Sequence, residues 1–247
     1  MEVGSPMGKR QEIRERRKKA KQRQRMILVM VISGIALIFG ALLIAPTLNK
    51  GGTQVGDYVI PDFTPHPNAN ANTMGDPNAP VLVEEFSDFG CGHCANFAET
   101  KINQIIDEYI KTGKVYFVYH SVGGLLGSPV TPLAAEAAYC AGDQNRFWDF
   151  HNVIFANQTL LFFTDPATDI NKYFKSFAKD LGLNMDEFQA CLDGGKYKEK
   201  VAGDEVAAQK AEVDGTPTFL INGDVLKGDQ PIEKFREVID AKLKEKE

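Results

Sequence analysis

The chain has 247 residues, 43% of them hydrophobic and 25% charged, the balance of a globular protein long enough to bury a sizeable core. That composition excludes collagen, low-complexity and disulfide-dense scaffolds, and four cysteines are too few to staple a fold of this size. The net charge of −5 is unevenly spread: Lys9 to Arg25 carries ten Lys/Arg against two acids, whereas from Pro46 onward 18 basic residues face 30 acidic ones. A nucleic-acid partner is not expected, because the basic residues sit on a short tail with no aromatic residue among them.

Residues 1–25 read as a basic cytoplasmic tail. Met26 to Ala45 follows as twenty residues without a charge, the ~20 needed to span ~30 Å of hydrocarbon as a helix, and Pro46 ends it. The basic flank places the N-terminus in the cytoplasm and everything after residue 46 outside, which predicts a single-pass signal anchor in the cell membrane. A cleaved signal peptide shares the gross pattern, but its apolar region is usually ~7–15 residues and ends at a small-x-small site. A cut after Ala45 would put Leu43 at the −3 position. On either reading the folded part is extracytoplasmic, where disulfides persist.

Residues 46–80, rich in Gly, Asn, Pro and Thr, read as a linker or stem, interrupted by Val55–Ile60 as one short edge strand or docking segment. Val81–Phe86 is β-rich and bounded by Pro80 and by Ser87-Asp88. A helix is predicted from Gly92 to Lys111, with Phe97, Ile102, Ile105, Ile106 and Tyr109 as its apolar stripe. Lys114–Tyr119 is the next strand, so this unit implies a parallel pair joined by a helical crossover. Residues 129–213 read as a nearly continuous helical block, broken near Gly142-Asp143, Asp165-Pro166, Gly182 and Gly194-Gly195. Thr218–Ile221 and Val225-Leu226 then flank Asn222-Gly-Asp, which predicts a β-hairpin, and Gln230 to Lys244 closes the chain as an amphipathic helix.

Cys91-Gly-His-Cys94 lies just past a predicted strand and opens a predicted helix. The free amides and dipole of a helix N-terminus stabilise an anion, so Cys91 can be held as a thiolate below the ~8.5 of a free thiol. A protonated His93 adds to that effect, and a stabilised reduced form makes the disulfide a better oxidant. Cys94, one helical turn along, is the natural resolving thiol. A zinc site is the rival for any CxxC, but Cys140 and Cys191 form no second CxxC or CxxH, and no metal or organic cofactor is expected. A purely structural Cys91–Cys94 bond would close too small a loop to restrict the unfolded chain much. Gly215-Thr-Pro-Thr218 precedes the predicted hairpin. A proline there cannot donate its own hydrogen bond, and such prolines are often cis, although a plain turn proline reads the same way.

These stretches resemble the DsbA-like thioredoxin-fold oxidoreductases over about Val55 to Lys244. The matching segments are 83–94 (VEEFSDFGCGHC), 137–151 (AAYCAGDQNRFWDFH) and 213–223 (VDGTPTFLING), in that order. The resemblance implies an α/β thioredoxin fold, residues 81–128 and 214–247, with a helical domain inserted at 129–213 and preceded by the transmembrane helix. It implies a cis Pro217 whose loop, with Thr216, offers backbone to an extended substrate. It also implies that Glu85 is the acidic residue such enzymes bury beneath the active site, able to assist proton transfer to Cys94, while Glu84 faces the other side of the strand and is solvated. The Gly-His dipeptide and Thr216 depart from many DsbA proteins and match disulfide isomerases.

Cys140 and Cys191 remain. Outside the cytoplasm, two leftover cysteines in one domain suggest a second, structural disulfide, as some anchored DsbA-like proteins carry; the alternative is a pair of small buried hydrophobes. His66 reads as incidental, His120 as a satisfied structural histidine near the active-site end, and His151 as packed among Phe147, Trp148 and Phe155. The expected function is thiol–disulfide exchange through Cys91–Cys94, donating disulfides to exported proteins with free thiols. By resemblance, a quinone-linked membrane oxidase of the DsbB or vitamin K epoxide reductase type would reoxidise the pair. An isomerase or reductase using the same cysteines, and a non-catalytic peptide-binding adaptor, stand as alternatives.

Overall fold

The computed structural model describes residues 56–124, 130–163 and 169–246, together with Lys19, Lys21, Gln22, Arg23, Met26 and Met30. The chain divides into two units, Met1–Gln54 and Val55–Glu247. In the first, the six described positions are helical, and apart from Met26 and Met30 the expected span 26–45 lies outside the described residues. Among the described residues, no helix is long and apolar enough to cross a membrane.

The second unit is built on a five-stranded mixed sheet in the order β1-β3-β2-β4-β5. Strand β2 (Val81–Ser87) lies at its centre, parallel to β3 (Val115–Ser121) with Val83 opposite Phe117. On its other side it runs antiparallel to β4 (Thr218–Ile221), with Glu85 opposite Phe219. Strand β5 (Asp224–Lys227) completes the expected hairpin. Asn222 and Gly223 both have positive φ (47° and 91°), the conformation that matches a tight turn to the twist of the flanking strands. Strand β1 (Thr73–Met74) pairs antiparallel with β3 at the sheet edge, inside the segment read as a stem; two residues are too few to leave a periodic signal. Gly56–Ile60 forms no strand but docks, because the Asn157 side chain accepts from the Val59 amide (2.8 Å) and donates to its carbonyl (2.7 Å).

The helix expected from Gly92 to Lys111 is interrupted. It comprises α1 (Gly92–Thr100), a break at Lys101 (φ −121°), α2 (Ile102–Ile105) and a π-helical turn at Ile106–Ile110. The break and the wider turn rotate the stripe, so that Phe97 and Ala98 before it and Ile105, Ile106, Tyr109 and Ile110 after it are all buried. Between β3 and β4 the described residues are helical and contain no strand: α3 (Thr131–Gly142), α4 (Phe147–Ala156), α5 (Gln158–Phe162), α6 (Ile170–Asp180), α7 (Met185–Asp193) and α8 (Lys198–Lys210). Breaks occur near Gly142, Gly182 and Gly194, while the one expected at Asp165-Pro166 lies outside the described residues. A further break at Asn157 (φ −114°, ψ 18°) has no glycine or proline signal; its side-chain Nδ2 also donates to the Val153 carbonyl at 2.7 Å. Helix α9 (Ile232–Lys244) ends the fold.

Alternation along β2 separates two faces. Val81, Val83 and Glu85 are buried with α1 and α9, where the rings of Phe97, Phe219 and Phe235 pack 4.6 to 5.3 Å apart. On the opposite face Phe86 packs with Val122, Ala208 and Val213. Each such ring contributes roughly 1.5–3 kcal/mol by leaving water. The helical block has its own aromatic centre around Phe150, Phe174, Phe177 and Phe188. A Cys140–Cys191 disulfide ties α3 to α7 with a Cα separation of 5.8 Å.

Candidate active site

Where β2 ends, Asp88 closes a turn: its Oδ1 accepts from the Gly90 amide (2.8 Å) and its carbonyl from the Cys91 amide (2.9 Å). That turn sets Cys91 at the N-cap of α1 in an extended conformation (φ −87°, ψ 121°), where its sulfur makes no capping hydrogen bond but lies under the influence of the His93 and Cys94 amides of the first helical turn. Cys91 is 8% exposed and Cys94 fully buried, and both are free thiols. The Thr216–Pro217 peptide is cis, and the Cys91 thiol donates to the Thr216 carbonyl at 3.3 Å. The strand-end turn, the helix N-terminus and the loop before β4 thus converge on one sulfur.

The two thiols differ in acidity. Cys91 is pulled from 9.0 to about 5, chiefly by a hydrogen bond from Cys94; burial opposes this, and Thr216 and the amides of Cys94 and His93 add to it. Cys94 is pushed well above its ordinary range, first by burial and then by its bond to Cys91 and the negative charges of Cys91 and Glu85. Glu85 is 2% exposed and lies on the α1 face; burial raises its carboxyl from 4.5 to about 8, partly offset by Ser87. Behind it the buried Tyr119 phenol is raised by burial and by the proximity of Glu85 and Cys94. The sheet therefore sets a carboxyl that is largely protonated at neutral pH close to Cys94.

The His93 side chain is exposed, and its backbone amide is among the groups that lower Cys91. Glu84 does face the other side of β2, but it is half-buried and not free in solvent, because its Oε1 meets His120 Nε2 at 3.2 Å. His120 Nδ1 meets Asp204 at 2.9 Å, so this histidine joins β3 to α8. His151 is buried among Phe89, Tyr119, Trp148 and Phe155, and burial lowers it to about 3. His66 is not incidental: it stacks on Trp148 at 5.8 Å. Among the described residues no group of three or more His, Cys, Asp or Glu is arranged to hold a metal.

Two residues at the site escaped the sequence reading. Asp88 served there only as a strand terminator, although an Asp opening a turn into a helix is a recognisable signal. Burial raises its carboxyl from 3.8 to about 6, against the Gly90 amide that lowers it. Gln158, from the helical block, donates from Nε2 to the carbonyls of Phe89 (2.8 Å) and Cys91 (2.9 Å). Its partners lie 69 and 67 positions away, which no local pattern could reveal.

A family model described as thioredoxin matches residues 68–241. A probable disulfide bond formation protein D from Bacillus anthracis is 32% identical over 70% of this chain and 78% of that protein. The chain belongs to the DsbA-like branch of the thioredoxin family. Among solved structures of that branch, oxidised BdbD from Bacillus subtilis is 27% identical, with a TM-score of 0.62 over 72% of this chain and 96% of that one. The chain also matches a Salinispora tropica protein named Na(+)/H(+) antiporter NhaA 3, at 34% identity over 62% of this chain but only 22% of that protein. The first cysteine of the CxxC opens a helix and the second is buried behind it.

Proposed function

We propose that the chain is an extracytoplasmic thiol–disulfide oxidoreductase, anchored through residues 26–45, that donates the Cys91–Cys94 disulfide to exported proteins with free thiols. The unequal pair carries this reading: a Cys91 thiol held near 5 beside a Cys94 thiol held far above it. A substrate thiolate attacks the Cys91 sulfur of the disulfide. The electron pair of the broken S–S bond goes to the Cys94 sulfur, which takes a proton with Glu85 as its donor. A mixed disulfide between substrate and Cys91 remains, laid against Thr216 and the cis Pro217. A second substrate thiolate attacks the substrate sulfur and expels Cys91, whose low pKa makes it a good leaving group. The substrate gains a disulfide and the pair two electrons.

Reoxidation needs an acceptor for those two electrons, and the reading assigns it to a quinone-linked membrane oxidase of the DsbB or vitamin K epoxide reductase type, close to the anchor. Cys140–Cys191 lies in the helical block and serves as a structural bridge. The test is a Cys94→Ala variant of the full chain expressed in cells. With the resolving thiol gone, the Cys91 thiolate attacks a disulfide already formed in an exported protein, expels one of its sulfurs as a thiolate and stays bonded to the other, so mixed disulfides are expected as high-mass bands on a non-reducing gel, absent when Cys91 is also replaced by Ala. A gel without such adducts contradicts the mechanism.

A further inference from the structure

Gln158 is the first residue of α5, and its neighbour Asn157 holds the Val59 backbone on one side of the break between α4 and α5. On the other side, the Gln158 carboxamide reaches the turn that carries Cys91. One Nε2 group donates to both the Phe89 carbonyl (2.8 Å) and the Cys91 carbonyl (2.9 Å), and the Cys91 carbonyl also accepts the first helical bond from the Ala95 amide (3.1 Å). A Cβ at Gly92 would stand 4.0 Å from Gln158 Oε1, so the side chain lies alongside the first residue of the CxxC dipeptide as well. Both ends of the Phe89–Cys91 turn are therefore gripped by one side chain from the helical block. The turn's other fastenings, the two bonds to Asp88, come from within the same strand–helix corner.

Two physical effects follow. The Cys91 carbonyl is a dipole on the same residue as a sulfur that must carry negative charge, and the amide donor bound to its oxygen reduces their repulsion. The two Gln158 bonds also fix the Phe89–Gly90 and Cys91–Gly92 peptide planes, the second of which starts the helical turn that carries the His93 and Cys94 amides. We propose that Gln158 is a positioning residue for the redox pair, holding the Cys91 turn so that the helix N-terminus stays aimed at the sulfur. This rests on the reading of Cys91 as the stabilised thiolate of a disulfide-exchange enzyme, and it makes the helical block a determinant of the pair's reactivity.

The test uses the full chain with Gln158→Met, which keeps the length and apolar bulk of the side chain but has no donor. The ionisation of Cys91 is followed by thiolate absorbance against pH, and the reduction potential by equilibration with glutathione at pH 7. The variant is expected to ionise about one pH unit higher, a tenfold change. Its potential is expected to fall by about 30 mV, the equivalent of tenfold in a two-electron couple, while the melting temperature of the disulfide form stays that of the parent. If the Met variant does not fold, Gln158→Glu is read instead; at pH 7 its carboxylate faces two carbonyls without a donor, and a larger rise is expected. A variant that folds and matches the parent in both ionisation and potential overturns the assignment and leaves Gln158 a packing residue. A parent whose own Cys91 ionises near 9 overturns the reading of the thiolate itself, a failure distinguishable from the first.

Discussion

Lowering the pH from 7 to 5 should cost the reduced protein stability that a Cys91→Ala variant never had. The folded state holds Cys91 near 5, against 9.0 for an unperturbed thiol. A depressed pKa contributes stability that is complete above the unfolded value and is lost as pH falls through the folded one. Over this window the contribution is about 2.7 kcal/mol at pH 7 and about 0.4 kcal/mol at pH 5, from ~1.36 kcal/mol per pH unit. Solvent on the open side of the sulfur screens part of it, so a loss of roughly 2 kcal/mol is expected. Urea unfolding of the reduced parent and of Cys91→Ala at both pH values gives the quantity directly. Glu85 and His120 titrate in both proteins, whereas Asp88 is raised partly by the Cys91 charge, so the difference between the two pH dependences measures Cys91 together with its coupling to Asp88. Equal dependences within about 0.5 kcal/mol would refute the claim that the helix N-terminus and Cys94 stabilise the thiolate.

Glu85 has the opposite sign. Its folded pKa of about 8 lies above 4.5, so its burial costs stability as pH rises between those values, and Glu85→Gln should be more stable than the parent at pH 7 by roughly 2–3 kcal/mol, a gain that shrinks toward pH 4. The same variant should reduce model disulfide-forming turnover by slowing proton delivery to Cys94; a faster or unchanged rate in a stopped-flow thiol-exchange assay would remove Glu85 from the mechanism. Replacing Cys140 and Cys191 together by Ser opens a bridge spanning 51 positions and should cost about 4 kcal/mol in denaturant unfolding while leaving the potential of Cys91–Cys94 unchanged. Unaltered stability would mean the bridge constrains nothing the helices do not already hold.

The parts of this molecule legible in its sequence are those written in local patterns. The strand Val81–Phe86, the hairpin at Asn222-Gly223 and the helix opening at Cys91 each follow from alternation, turn chemistry or capping, and each lies where expected. Glu85 falls on the buried face because a strand alternates, and that alternation separates it from Glu84. What escaped depends on distant partners. The break at Lys101 and the π-helical turn after it serve to bury two apolar stripes at once, although Phe97 to Ile110 reads as one continuous helix. Strand β1 exists because β3 offers it an edge, not because Thr73-Met74 prefers extension. Gln158 carries no local signal, and only the fold brings it to the Cys91 carbonyl.

The central claim, that the Cys91–Cys94 pair is poised to give its disulfide away, is tested most directly by the reduction potential of the full chain equilibrated with glutathione at pH 7. A thiolate stabilised about a hundredfold at that pH raises the potential by about 60 mV over an otherwise identical pair, and the account predicts a value of about −210 mV or higher, displaced from thioredoxin toward the ~−120 mV of strong oxidants. A value near the ~−270 mV of thioredoxin would contradict it and turn the same residues into a reductase that needs an electron donor.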